Sequence, residues 1–367
     1  MPRGGFFLWC RLPDGCDSAQ VARAALEDAR ALGYLPVEVE ALYRLGMLQA
    51  LAGYDRLTVA ATHRAAPVSA SVWYPVGTPT YRGLIGDSAV FRGTPAYVGA
   101  GIAQGRFPLV LLSHGSGGNM DSLSWLSSAL AVRGAMVLAV NHPGSTSGDS
   151  SPRRSILLQE RARDLSAALD ALLADSTFAA HVDRSRIVTL GFSLGGATAL
   201  NLAGARMDRA AYRAYCARLG ERAPDCRFFA KGGVNLAGLP DAWEADMHDP
   251  RVSAAIAVDP GMTYAFTPES IAALHMPVLL INLGGDERWS AGDVGPRGSD
   301  LTGRLPHAEY AVVAPANHFT FLGICKPDGA ALLAAEGDDP VCSDPDGADR
   351  ASVHTEIIAR VATFLGS

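Results

Sequence analysis

Residues Gly191-Phe192-Ser193-Leu194-Gly195 stand between an apolar run, Ile187-Val188-Thr189-Leu190, and a helix-compatible stretch, Ala197 to Ala205. A Gly-x-Ser-x-Gly segment between a strand and a helix is the pattern of a sharp turn that holds a serine hydroxyl out at the carboxyl edge of a sheet. The two backbones pass so closely there that glycine is needed on either side. This feature demands a strand before it, a helix after it, and catalytic partners delivered from elsewhere in the chain.

The rest of the sequence supplies a matching frame. From Leu109 onward, short apolar segments alternate with amphipathic ones. Strands are expected at Leu109–Ser113, Met136–Val140, Ile187–Leu190, Ala254–Val258, Val278–Asn282 and Tyr310–Val313. Helices are expected at Asp121–Arg133, Ser155–Asp175, Leu194–Ala205 and Ser352–Leu365. Such alternation predicts a mostly parallel sheet covered by helices on both faces. Ligands in such sheets bind beyond the carboxyl ends of the strands. Val68, Ala70, Val72 and Trp73 suggest an earlier strand, and the Gly/Pro-dense stretch from Gly77 to Gly105 reads as loop with short extended pieces. Residues 207–252 interrupt the alternation and read as an insertion, cap-like in position, over the active edge.

Residues 1–50 look separate, a mainly helical extension: Ser18 can cap a helix through Val21, Ala25, Leu26 and Ala29 to Gly33, and a second helical stretch runs from Val37 to Leu51. The apolar patch Phe6–Trp9 is shorter than the roughly 7–15 apolar residues of a signal peptide core. The remaining 51–367 would form the catalytic domain.

Composition excludes some functions. The 367 residues are 49% hydrophobic and 19% charged, with a net charge of −6 and only two lysines, Lys231 and Lys326. No basic run offers a nucleic-acid surface, and no apolar stretch is long enough to span a bilayer as a helix. The six cysteines fall into three close pairs without C-x-x-C spacing. Either Cys216/Cys226 and Cys325/Cys342 form local disulfides, pointing to a secreted or periplasmic protein, or all six are reduced in a cytosolic one.

Serine is a poor nucleophile unless a base and an orienting acid stand behind it. His318 lies just past the last expected strand and is the candidate base. His114 and His142 follow strands and are pocket candidates, with Gly115, or brace the pocket; the other histidines lie in loops, before strands or in the last helix. Two aspartates follow strands between the serine and the histidine, Asp259 and Asp286, and the residues alone leave the acid open between them. The oxyanion hole would use backbone N–H groups of Leu194 and, from the Gly-rich segment His114-Gly115-Ser116-Gly117-Gly118, of Ser116. That segment has neither the Gly-Lys-Ser/Thr ending of a nucleotide loop nor a dinucleotide fingerprint.

Four segments in order, Ser-His-Gly-Ser-Gly-Gly at 113–118, Asn-His-Pro-Gly at 141–144, Gly-Phe-Ser-Leu-Gly-Gly at 191–196 and Asn-His-Phe-Thr-Phe-Leu at 317–322, resemble the dienelactone-hydrolase-like branch of the α/β-hydrolases, similar to platelet-activating-factor acetylhydrolases. The tail from Cys325-Lys326-Pro327 to Cys342, with Asp349-Arg350 and His354, shares the resemblance, which covers roughly residues 55–367. It implies an α/β-hydrolase fold and a carboxylic ester hydrolase acting on a small-molecule ester and water, with short to medium acyl groups, and no metal or organic cofactor. It places the triad acid at Asp259, whereas the usual position in the fold is Asp286. Members of this branch are often exported with paired cysteines. Dienelactone hydrolases use a cysteine nucleophile, so lactone opening does not carry over to Ser193. An amidase or peptidase with the same triad, or a non-catalytic binding protein, are the alternatives.

Overall fold

The computed structural model describes residues 50–286 and 288–366. The expected helices of the amino-terminal extension, the Phe6–Trp9 patch, Cys10 and Cys16 lie outside the described residues.

Ten strands form one sheet: β1 (Gly53–Val59), β2 (Val68–Tyr74), β3 (Arg82–Ile85), β4 (Thr94–Val98), β5 (Phe107–Ser113), β6 (Met136–Val140), β7 (Val182–Phe192), β8 (Ala254–Val258), β9 (Val278–Leu283) and β10 (Ala308–Val313). Their spatial order is β10-β9-β8-β7-β5-β6-β2-β1-β4-β3. The run from β10 to β6 is parallel. β2 pairs antiparallel with both β6 and β1. β1, β3 and β4 arise where the sequence reads as loop or carries no strand signal. β3 and β4 are short, and the partly exposed residues of all three leave little apolar periodicity to detect.

The side-chain alternation of strands sorts the core onto two faces. Val110, Leu112, Val188, Leu190, Ile256 and Ile281 pack under α1 (Ser124–Val132) and the last helix, Arg350–Leu365. Leu109, Leu111, Leu138 and Ile187 face α2 (Leu158–Ala174), while Ala255, Ala257 and Leu280 face α3 (Leu194–Ala203).

Helix starts differ from expectation for local reasons. Residues 121–123 are turn, with the Asp121 N–H on Asn119 Oδ1 and the Asp121 carboxylate taking the Tyr54 hydroxyl, so α1 begins at Ser124. The helix expected over Ser155–Asp175 breaks at Ile156–Leu157 into a short turn of helix, Pro152–Ser155, and α2. At that break the Ile156 carbonyl accepts the Trp243 indole N–H at 2.9 Å.

Trp243 belongs to the insertion, which folds as α4 (Arg209–Leu219), α5 (Pro224–Lys231) and short turns. Asp208 caps α4 through the Ala210 and Ala211 N–H groups. Cys216 and Cys226 are disulfide-bonded across ten residues. Beside Cys226, Asp225 accepts the hydroxyls of both Tyr212 and Tyr215. A second disulfide joins Cys325 and Cys342, flanking α6 (Gly329–Glu336), ahead of α7, the last helix at Arg350–Leu365.

Candidate active site

Ser193 sits between β7 and α3 with φ 55° and ψ −122°, a strained conformation for a residue with a side chain. Its neighbours explain how the turn closes. A Cβ on Gly191 would overlap the Gly195 carbonyl, one on Gly195 would overlap the Ser113 carbonyl, and one on Gly196 would come within 2.8 Å of Pro260. The elbow is also pinned through its own backbone: the Ser193 N–H donates to the Val258 carbonyl, and the Gly261 N–H donates to the Ser193 carbonyl.

His318 opens the short 3-10 turn after β10, which Asn317 caps through the Phe319 and Thr320 N–H groups. Its Nε2 lies 3.0 Å from Ser193 Oγ, and its Nδ1 lies 3.1 Å from Asp259 Oδ2. A carboxylate can only accept, so Nδ1 carries the proton and Nε2 is free to accept the serine hydroxyl proton. Phe192 and Trp289 both pack on the imidazole, with ring centroids at 4.7 and 4.1 Å.

Asp259 follows β8, is buried, and has φ 40°. Its Oδ1 accepts the Leu283 N–H at 2.8 Å and the Asn282 side-chain amide at 2.9 Å, which leaves Oδ2 toward the imidazole. Asn282 in turn donates to the Gly292 carbonyl and accepts from Val294 N–H and Tyr310 hydroxyl. The structure places Asp286 elsewhere: its side chain is 90% exposed and pairs with Arg297 at 2.7 Å. The fold's usual acid position after β9 is therefore turned to solvent, and the carboxylate beside His318 comes from β8.

The loop after β5 lies against the serine. A Cβ on Gly115 would stand 3.3 Å from Ser193 Cβ. The Gly115 carbonyl accepts the His114 Nδ1–H at 2.6 Å and the Gly118 N–H at 3.2 Å. Because a trans peptide points its C=O and N–H in opposite directions, the Ser116 N–H faces away from these partners. Among the described residues, neither the Ser116 nor the Leu194 N–H is engaged by a protein acceptor. The segment after β6 straps the same loop: Gly117 N–H donates to the Ser145 carbonyl, Ser147 N–H and the Thr146 hydroxyl to the Gly118 carbonyl, and the Ser147 hydroxyl to the Gly117 carbonyl.

His114 and His142 are buried, so they brace this loop and do not line an open pocket. Burial pushes His114 well below its usual range and His142 down to about 3, so both are neutral. His142 Nδ1 donates to Asp164 at 2.9 Å, and its Nε2 accepts the Ser113 hydroxyl at 3.0 Å. Burial alone would raise Asp164, but hydrogen bonds from His142 and Arg64 outweigh it and hold the carboxyl at about 2. His63, which carries no expected role, also reaches Asp164 at 2.9 Å.

Four contributors are absent from the sequence expectations: Arg161, Asp164, Asn282 and Trp289. Three had a detectable signal. Arg161 and Asp164 sit on the buried face of α2, in the stripe of Leu158, Ala162, Leu165 and Leu169. Asn282 interrupts an otherwise apolar buried strand. Buried polar groups of this kind require partners. Trp289 lies in a loop and had no such signal.

The insertion borders the site on the His318 side. The Ser290 hydroxyl, next to Trp289, donates to the Arg222 carbonyl at 3.3 Å, and Tyr215 stacks on Tyr264 at 4.0 Å in the segment following Asp259. Among the described residues no group of three or more His, Cys, Asp or Glu is placed to hold a metal, and no helix is long and apolar enough to cross a membrane.

A mostly parallel sheet, a serine on a strand–helix elbow and an imidazole delivered from beyond the last strand define an α/β-hydrolase. A model of the alpha/beta hydrolase family matches residues 109–335, more than half of the chain, and the chain belongs to that family. Among curated proteins it is similar to cutinase est2 of Thermobifida alba, 34% identical over 101 residues, which are 27% of this chain and 31% of the cutinase. It is similar also to the cutinase of Thermobifida fusca strain YX, 33% identical over 101 residues, 27% of this chain and 29% of the relative. The match thus spans about three tenths of these relatives' length. Among solved structures, a ferulic acid esterase from Streptomyces cinnamoneus superposes with a TM-score of 0.58 at 20% identity, covering 87% of this chain and 90% of that one. At that identity the likeness concerns the fold.

Proposed function

We propose that this chain is a serine-dependent carboxylic ester hydrolase in which Ser193, His318 and Asp259 form the catalytic triad, within a catalytic domain spanning 51–367. The observation that carries this reading is the unbroken line of contacts from Ser193 Oγ to His318 Nε2 at 3.0 Å and from His318 Nδ1 to Asp259 Oδ2 at 3.1 Å. The similarity to cutinases and to the fold of a ferulic acid esterase supports an ester as substrate.

The chemistry follows from the geometry. Ser193 Oγ attacks the ester carbonyl as its proton passes to His318 Nε2. Asp259 holds the imidazole in the Nδ1–H tautomer and stabilises its cation. Charge collects on the carbonyl oxygen only in the tetrahedral species, where the Leu194 and Ser116 N–H groups meet it. His318 returns the proton to the leaving alcohol, giving an acyl-enzyme. Water, deprotonated by the same imidazole, then releases the acid and restores Ser193. The insertion 207–252 acts as a cap bordering the acyl or alcohol side, and short to medium acyl groups are the expected substrates.

A panel of p-nitrophenyl esters of increasing chain length, beside matched anilides, tests this. Turnover should be fastest on short and medium esters, and Ser193→Ala should abolish both turnover and labelling by a fluorophosphonate. Anilide hydrolysis matching ester hydrolysis would assign an amidase instead. Absence of labelling in the wild-type protein would overturn the triad.

A further inference from the structure

Among the described residues, Arg161 is a charged group in an apolar setting. Its side chain is buried, 1% exposed, on the apolar face of α2. Burial draws its guanidinium down to about 9, still cationic at neutral pH. Its direct acceptors are all uncharged: Nε donates to the Thr198 hydroxyl at 3.0 Å, Nη1 to the Ser145 hydroxyl, and Nη2 to the Ser113 hydroxyl at 3.1 Å and to the His114 carbonyl. Asp164, one helical turn on, is engaged by His142, His63 and Arg64. Asp164 attracts the guanidinium only across space, and a buried cation whose direct acceptors are all neutral is costly for stability.

Those acceptors are not scattered. Ser113 and His114 end β5 and begin the loop that carries the Ser116 N–H. Thr198 lies in the first turns of α3, and its hydroxyl donates to the carbonyl of Leu194 at 3.1 Å. Ser145 begins the strap that holds Gly117 and Gly118. One planar fork therefore joins the three segments that place the two oxyanion N–H groups. A planar guanidinium fixes several acceptors at set angles at once, which a lysine ammonium does not.

We propose that Arg161 is a positioning residue for catalysis, setting the mutual spacing of the Leu194 and Ser116 N–H groups at which the oxyanion forms. This inference rests on the ester-hydrolase reading above. It predicts an effect on the transition state, with little effect on ground-state binding, because the hole engages charge that appears only as the tetrahedral species forms.

The test measures kcat and KM on a p-nitrophenyl ester for wild type, R161M, R161K, S145A and T198V, with melting temperature as a check on folding. Affinity for a boronic acid, which mimics the tetrahedral species, is measured beside affinity for the carboxylic acid product. For R161M, kcat should fall by about 10²–10³-fold, the size seen on losing one oxyanion donor. KM and product affinity should change little, and boronate affinity should fall with kcat/KM. R161K should recover part of the loss, and S145A and T198V should each lower kcat by a smaller factor. Parallel loss of kcat, KM and product affinity would overturn the proposal, as would a folded R161M with wild-type kcat. Should R161M fail to fold, wild-type kcat in both S145A and T198V overturns it. Inactivity of the wild-type protein on every ester is a different result, and overturns the esterase reading itself.

Discussion

At the scale of single residues, Asp259 and Asp286 show how two aspartates, each following a parallel strand, come to different positions. Asp259 is held at φ 40° with one oxygen tied to Leu283 N–H and Asn282, so the other can only face His318. Asp286 lies three residues past the end of β9, where the chain has already turned into solvent. Asp259→Asn should therefore lower kcat by about 10⁴-fold, because the amide presents an N–H to Nδ1 and forces the tautomer that cannot take the serine proton. Asp286→Asn should leave kcat within a factor of two or three. Equal losses in the two variants, measured on one ester, would contradict this assignment.

At the scale of elements, the insertion shares a buried apolar cluster with the sheet and α3, and specific contacts add to it. Trp243 reaches the break before α2, Tyr215 stacks on Tyr264, and Ser290 meets the Arg222 carbonyl. The Cys216–Cys226 bridge closes α4 onto α5 across a ten-residue separation. Cross-linking a loop of that size stabilises by about 2–4 kcal/mol through the unfolded chain. Replacing both cysteines by serine should lower the melting temperature by several degrees and remove the effect of added reductant on this segment, as followed by protease nicking within 209–231. Identical nicking with and without the bridge would show that the aromatic packing alone holds it. The His318 loop is braced separately: Arg350 at the start of α7 donates to the Gly323 and Val341 carbonyls and to Asp344, and His354 stacks on Trp125 at 3.7 Å.

At the scale of the molecule, three buried histidines set a pH limit. Burial lowers His114 well below its usual range, His142 to about 3 and His354 to about 4. Unfolding frees each to bind a proton below its ordinary value near 6.5. Below pH 6.5 the unfolded chain therefore holds more protons than the native one, and stability falls as pH drops. The limiting slope is about 1.4 kcal/mol per pH unit for each histidine. It persists until the folded group itself titrates, near 4 for His354 and near 3 for His142. Asp164, held at about 2, adds to the loss below its ordinary range. Urea unfolding at pH 7.5, 6 and 5 should give a falling midpoint, and a flat midpoint across that range would refute the account.

The elbow, the parallel half of the sheet, and the place of His318 just past the last strand were legible from the sequence because each is local: an apolar run, a glycine pair, a loop after a strand. The strands β1, β3 and β4 were not, since partly exposed strands carry little periodicity. Which aspartate faces His318 was left open by residue types and spacing alone, because it depends on the direction of a carboxylate 59 residues away from the histidine in the chain; only the resemblance of the four segments pointed to Asp259. The same holds for Arg161, whose partners come from β5, the 145–147 strap and α3. Chemistry types are written in residue identity and local spacing. Which groups meet is decided by long-range packing, where a buried charge or carboxylate takes the orientation that satisfies its hydrogen bonds.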